Sequence, residues 1–319
     1  MTRVLVLDPI HEEGLALLRA RADVDLHHLP EPETADLEGA LAEAEILVLR
    51  GRHLGDAPFE QASRLRLVSR HGVGCDNLNF PLLAARGVTV AVTDKANLVS
   101  VAEHAFMLLL AAYKNLLRSD AAVRSGDWQS RDRLGARELA GSALLVVGFG
   151  RIGQAFAQRA AAFGARIAVY DPALPADAVL PEGFQRYSDL GVAVAEADAV
   201  SLHLPRRPDT LGLVSAGLLA CFRPGAILVN SARGGIVEER ALCAALDSGQ
   251  IALYASDVLA SEPPAADDPL LGRPDVILTP HSAAMTDQGA RRMAVDSAQN
   301  ALDFIDGCLS PSAIALAPA

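Results

Sequence analysis

Residues 142–171 constrain this chain more tightly than any other segment. An apolar run, Ala143-Leu-Leu-Val-Val147, leads into Gly148-Phe149-Gly150-Arg151-Ile152-Gly153, a helix-forming stretch follows, and a second apolar run closes on Asp171. Each glycine answers a different demand when the spacing falls between a buried strand and a helix. The first permits a tight turn, the second lets a pyrophosphate approach the backbone, and the third brings helix against strand. Unpaired N–H groups at the helix start favour an anion there. Gly148, Gly150, Arg151, Ile152 and Gly153 are therefore cofactor-binding candidates. Asp171 lies 18 residues beyond Gly153, where a carboxylate meets ribose hydroxyls. It would repel the extra phosphate of NADP, and Pro172 and Ala173 supply no cation, so the pattern points to NAD.

The remaining sequence suits a large parallel sheet protein. Of 319 residues 51% are hydrophobic but only 4% aromatic, so the core must come from small aliphatic side chains in helices and buried strands. Strands are expected at 3–8, 45–50, 65–69 and 88–92, with helices near 12–22 and 34–43. A long helix is expected over 97–115, with Ser100 as N-cap and Glu103 completing a capping box. A second alternation places strands at 142–148, 166–171, 198–202, 226–230, 252–256 and 276–279. A last helix, 287–305, has no further domain to join and is expected to return to the first, with a loose tail from Pro311. The reading is α/β: two doubly wound parallel-sheet domains, a Rossmann NAD-binding domain (99–286) inserted in a discontinuous flavodoxin-like domain (1–98 and 287–319).

Several classes are disfavoured. A net charge of −11 offers no basic face for nucleic acid. The longest apolar stretch, 105–113, is about half of the roughly 20 residues that span a membrane. Met1-Thr2-Arg3 runs directly into a strand-like segment instead of an export signal, so a cytoplasmic protein is expected. Cys75, Cys221, Cys243 and Cys308 are widely spaced and read as reduced thiols. His27 and His28 have no nearby third ligand, so no metal site is expected.

Ionisable residues recur at strand ends, where an open α/β sheet holds its ligand. Arg233 follows one strand in Asn230-Ser231-Ala232-Arg233-Gly234-Gly235, and its guanidinium suits a carboxylate. Glu262 lies in a loop before two prolines, and His281 follows Thr279-Pro280. A carboxylate held against imidazole raises its pKa and fixes its tautomer, which suits proton transfer near neutrality.

With these residues stand other spaced motifs: His71-Gly-Val-Gly-Cys-Asp-Asn77, Ser100-Val-Ala-Glu103, Gly126-Asp-Trp128, Glu138-Leu-Ala-Gly141, Leu202-His-Leu-Pro205 with Thr210, and Pro280-His281. Together they resemble the D-isomer-specific 2-hydroxyacid dehydrogenases over nearly the whole chain. The resemblance implies a homodimer of two-domain subunits whose cleft holds NAD and a small anionic 2-keto or 2-hydroxy acid. It implies that Arg233 binds the substrate carboxylate, that His281 exchanges a proton with the substrate oxygen, and that Glu262 holds the imidazole. It also implies that Pro205, Thr210, Ser231 and Ala232 line the cofactor, that Asp257 faces its carboxamide, and that backbone N–H groups at Val73 and Gly74 grip the carboxylate. Arg50 and Arg52 alternate at a strand end and resemble an Arg-x-Arg of phosphoglycerate-using relatives, which implies a second anionic group on the substrate. Arg131 is similarly placed to reach a partner subunit. The substrates suggested are 3-phosphoglycerate or hydroxypyruvate and glyoxylate. NAD-sensing corepressors resemble the same pattern and are the alternative; they usually carry additional tails.

Overall fold

The computed structural model describes residues 1–31 and 33–317. The chain divides into two compact units, one formed by Met1–Leu98 with Ala284–Ala319 and the other by Val99–Ala283. The first unit begins with β1 (Thr2–Leu7), α1 (Glu12–Arg19), β2 (Val24–Leu29), α2 (Thr34–Glu43), β3 (Ile46–Leu49), α3 (Ala57–Gln61), β4 (Leu67–Arg70), α4 (Phe80–Ala85) and β5 (Thr89–Ala91). Then come α5 (Leu98–Tyr113), α6 (Leu116–Arg124), β6 (Ala143–Val147), α7 (Arg151–Ala162), β7 (Arg166–Tyr170), β8 (Gln185–Tyr187), α8 (Leu190–Glu196), β9 (Ala199–Leu202), α9 (Ala216–Cys221), β10 (Ala226–Asn230), α10 (Glu239–Asp247), β11 (Ile251–Ser256) and β12 (Val276–Leu278). Finally α11 (Asp287–Ile305) and β13 (Ile314–Leu316) return to the first unit.

In the first unit the strands run β13-β5-β4-β3-β1-β2, a flavodoxin-like parallel order extended by one strand. Alternate residues of β1, β3 and β4 feed two cores, as expected of a sheet covered on both faces. Leu5, Leu7, Leu47, Leu49 and Val68 pack with Leu41 and Phe59, whereas Val4, Val6, Ile46, Val48 and Leu67 pack with Ala298, Ala301 and Leu302 of α11. α11 starts where Thr286 accepts a hydrogen bond from Gly289 N, and its first half lies against α1. Gly14 permits that approach, because a Cβ there would sit 2.5 Å from the Ala294 oxygen.

The second unit has strand order β12-β11-β10-β9-β6-β7-β8, parallel throughout, which is the doubly wound dinucleotide-binding arrangement with one further strand. Its chain reverses direction across the sheet between β6 and β9, so the loops after these strands share one end.

Two expectations fail locally. The tail from Pro311 is not loose over its described residues, 311–317, its last two lying outside them: Ala313 is buried, its oxygen accepts from Val92 N at 2.8 Å, and β13 pairs antiparallel with β5. Short alternating segments bearing Ala and Ile are enough to finish a sheet edge, and this makes the sheet mixed. Ser100 is not an N-cap either, since α5 already begins at Leu98 and Ser100 lies buried within it. The edge strands β2 and β8 fall outside the expected set. β2 carries His27 and His28, whose side chains leave a strand on opposite faces and so diverge.

Candidate active site

Gly148 follows β6 with φ +91°, and Gly150 is the N-cap of α7. A Cβ at Gly148 would stand 2.5 Å from the His203 oxygen, and one at Gly153 would stand 2.1 Å from the Gly148 oxygen. Those two glycines are demanded by the protein's own packing. Gly150 differs, because nothing lies within 4 Å of the position its Cβ would take. The start of α7 has no side-chain cap, so its first N–H groups remain suited to phosphate oxygens. Arg151 is exposed and Ile152 half-buried at this helix start.

Asp171 follows β7 with its carboxylate fixed by two backbone donors, Phe149 N and Ala173 N, each at 2.8 Å. After β9, Thr210 donates to the Pro205 oxygen at 2.7 Å and accepts from Arg207 N at 2.8 Å, tying this loop into a compact turn. After β10, Ala232 N donates to Asn230 Oδ1, while the buried hydroxyl of Ser231 has no hydrogen-bond partner among the described residues. Open space over Gly150, uncapped N–H groups, a ribose-suited carboxylate and an orphaned hydroxyl fit a dinucleotide.

The three ionisable candidates come together in this same unit. Asn230 Nδ2 donates to the Arg233 oxygen at 3.1 Å and Arg233 Nη1 to the Ala232 oxygen at 2.7 Å, so the loop after β10 is braced from within. Gly234 carries the chain against the turn after β11, and Leu259 N of that turn donates to Glu262 Oε1 at 3.0 Å. Glu262 Oε2 lies 2.6 Å from His281 Nδ1. This contact raises the His281 pKa above the ordinary histidine value, against the lowering effect of its burial and of Arg233. Burial would raise the Glu262 pKa, but the hydrogen bonds from His281 and Leu259 N outweigh it and bring it below the usual carboxylate value. Both side chains are over a third exposed, 51% for His281 and 37% for Glu262, so a solvent-borne ligand has access to them.

His281 adopts φ +50°, left-handed backbone that a non-glycine residue enters only when its surroundings hold it. Its N–H donates to the Asp257 oxygen at 2.9 Å. The Asp257 carboxylate, 1% exposed, accepts from Thr279 Oγ1, Ser282 N and Ala283 N. Sequence alone did not disclose this inward role.

The remaining candidates belong to the first unit. Arg52 Nε is 2.9 Å from Asp8 Oδ1, whereas Arg50 donates to the Pro9 oxygen and the Met285 sulfur. Val73 is exposed and Gly74 half-buried in the loop after β4. Arg70, missed in the sequence, shapes that loop: its buried guanidinium donates to the Gly74 oxygen and the Leu49 oxygen, each at 2.8 Å. An arginine closing an apolar strand just before a glycine-rich loop was the available signal. Among the described residues no three His, Cys, Asp or Glu side chains are arranged to hold a metal ion.

Residues 106–283 match the family model described as D-isomer specific 2-hydroxyacid dehydrogenase, NAD binding domain. The chain belongs to the D-isomer-specific 2-hydroxyacid dehydrogenases. Among curated members of this dehydrogenase family, D-3-phosphoglycerate dehydrogenase of Mycobacterium leprae is 38% identical over 98% of this chain, which spans 58% of that relative's length. Among solved structures, the TT0316 protein of Thermus thermophilus is 31% identical with a TM-score of 0.87, covering 99% of this chain and 100% of that one. An NAD-dependent formate dehydrogenase of Staphylococcus aureus, solved in complex with NAD, has a TM-score of 0.89 at 27% identity, with both chains fully covered. The second unit is thus the family's NAD-binding domain.

Proposed function

We propose that this dehydrogenase interconverts a small 2-keto acid and the corresponding D-2-hydroxy acid with NAD as cofactor. The observation that carries the reading is the 2.6 Å contact of His281 with Glu262, in the same unit as Arg233 and the glycine loop. Gly150, the start of α7, Asp171, the 205–210 loop, Ser231 and Ala232 would hold NAD, which when bound supplies or accepts the hydride. Glu262 keeps the Nδ1 side of the imidazole engaged, leaving Nε2 to deliver a proton to the keto oxygen in reduction or to take one from the hydroxyl in oxidation. Arg233 grips the substrate carboxylate and polarises the keto oxygen.

Phosphohydroxypyruvate and hydroxypyruvate or glyoxylate are the proposed substrate classes. Arg52 is already paired with Asp8, while Arg50 meets a carbonyl and a thioether, so Arg50 is the stronger candidate for a second substrate anion. The reading includes a homodimer. Its support is an open apolar groove of about 610 Å³ lined by Phe106, Met107, Leu110, Leu116 and Phe163. It also includes a cytoplasmic setting, supported by four cysteines none of which forms a disulfide among the described residues. Among the described residues no helix is long and apolar enough to cross a membrane.

The test follows NADH consumption with glyoxylate, hydroxypyruvate, pyruvate, oxaloacetate and phosphohydroxypyruvate, with His281→Ala as control. Turnover abolished in the control is the expected result. No turnover with any of the five would overturn the reading.

A further inference from the structure

The residues just assigned to proton transfer leave an adjoining buried network unexplained. His104 on α5 is mostly buried, and its Nε2 lies 2.9 Å from Thr279 Oγ1. Thr279 Oγ1 in turn lies 2.6 Å from Asp257 Oδ1. Donor and acceptor roles follow from elementary chemistry. A carboxylate only accepts, so the threonine hydroxyl gives its proton to Asp257. Its oxygen must then accept from His104, which fixes hydrogen on His104 Nε2. The result is a directed chain from His104 through Thr279 to Asp257.

Asp257 spends its remaining capacity on one short segment. Oδ1 also accepts from Ser282 N at 2.9 Å, Oδ2 accepts from Ala283 N at 2.8 Å, and its backbone oxygen accepts from His281 N at 2.9 Å. The segment from Thr279 to Ala283 is therefore draped over one buried carboxylate, and the residue at its crest is His281 with φ +50°. Left-handed backbone is disfavoured at a residue with a Cβ, so the loop would relax if its ties to Asp257 were loosened.

We infer that His104 and Thr279 are positioning residues: through Asp257 they hold the backbone of His281 in the one geometry that points its Nδ1 at Glu262. The inference rests on the function proposed above for His281, but its test does not. Neither side chain is asked to touch substrate or cofactor, and each acts by limiting where Asp257 can sit.

The experiment compares Thr279→Val, which keeps shape and removes the hydroxyl, with Thr279→Ser, which restores it. His104→Leu is compared with His104→Gln, which keeps an N–H donor. Two quantities are read. The first is the titration of the His281 imidazole by NMR in protein without cofactor. The second is kcat and KM for whichever keto acid the wild type prefers. In Thr279→Val and His104→Leu the His281 titration should fall from its raised position toward the ordinary histidine value as the Glu262 contact opens. A displacement of about 1 Å at a reacting group lowers rate about 100-fold, so kcat should fall on that order with KM nearly unchanged. Thr279→Ser and His104→Gln should recover both readouts. An unmoved titration in Thr279→Val and His104→Leu, or Thr279→Ser behaving as the valine variant does, would overturn the inference. Should wild-type protein reduce no keto acid while the titration moves and is rescued as expected, the proposed function fails and the positioning role stands.

Discussion

Replacing Gly234 by alanine tests whether the site depends on a single close approach of two backbone segments. A Cβ on Gly234 would stand 1.8 Å from the Leu259 oxygen, 2.4 Å from its carbonyl carbon and 3.0 Å from Ala260 N. Carbon–oxygen contacts settle at about 3.3 Å or more, so the loop after β10 and the turn after β11 would have to part by roughly 1.5 Å. Both partners are main chain, and no side-chain rotation relieves the clash. Overpacking of this kind costs about 1–3 kcal/mol, and in a chain of this size each kcal/mol lowers Tm by about 2–4 °C. The displacement also reaches the chemistry, since Gly234 adjoins Arg233 and Leu259 N holds Glu262 at 3.0 Å. A misplacement of about 1 Å reduces rate about 100-fold, so kcat/KM per folded molecule should fall at least that far. Thermal unfolding and NADH oxidation with the preferred keto acid read the two effects separately. An unchanged Tm would refute the close approach. A lowered Tm with wild-type kcat/KM would refute the claim that this contact sets the distance between Arg233 and Glu262.

Gly150→Ala should leave Tm unchanged, because the added methyl meets nothing in the protein, and should raise the Kd for NADH by fluorescence titration about tenfold or more; an unchanged Kd would place the dinucleotide elsewhere. With His281 as the proposed proton donor, the rate of reduction should be full below the raised His281 pKa and should fall as pH rises through it. In Glu262→Gln that fall should begin at lower pH in a kcat/KM profile, and a profile that does not move excludes Glu262 as the cause. His71 is buried with no hydrogen-bond partner for either ring nitrogen among the described residues, and burial, with Arg50 and Arg70 adding to it, pushes its pKa down to about 4. Its contribution to stability is full above the unfolded value near 6.5 and is lost as pH falls from about 6.5 to about 4, by about 1.4 kcal/mol per unit. Urea unfolding of His71→Leu should show a shallower acid loss than the wild type; equal slopes would count against this. Met107→Glu on the apolar groove should yield a monomer by light scattering, and an unaltered mass would move the subunit contact to another face.

The glycine loop was legible in the sequence because its function is made by backbone, and only particular residues let a backbone turn, open and pack there. Arg233, Glu262 and His281 were legible because each follows an apolar strand. Asp257 was harder to read. The four groups it holds come from residues 22 to 26 positions away and His104, which helps to bury it, from 153 positions away, and a lone aspartate after a strand carries no mark of them. The pairing of Arg52 with Asp8 spans 44 positions and was equally hidden. Edge strands were missed because an edge needs little packing: β2 reads Val-Asp-Leu-His-His-Leu, without an apolar run. At Ser100 a good local capping signal lost to Leu98 and Val99, which extend the helix backward.

The return of α11 and β13 to the first unit also sets an order of events during synthesis. A ribosome can complete the second unit once Ala283 has emerged, since its strands and helices are contiguous in the chain. The first unit has by then exposed β1 to β5 with one sheet face covered only in part, by Leu15 and Leu18 of α1, and it stays so until Ala298, Ala301 and Leu302 arrive to complete that face. Folding of the inserted unit replaces a long flexible loop by a short span, which lowers the entropic cost of joining the two pieces of the first. The unit translated first is therefore the one that finishes folding last, and it is the unit most in need of a chaperone while translation proceeds.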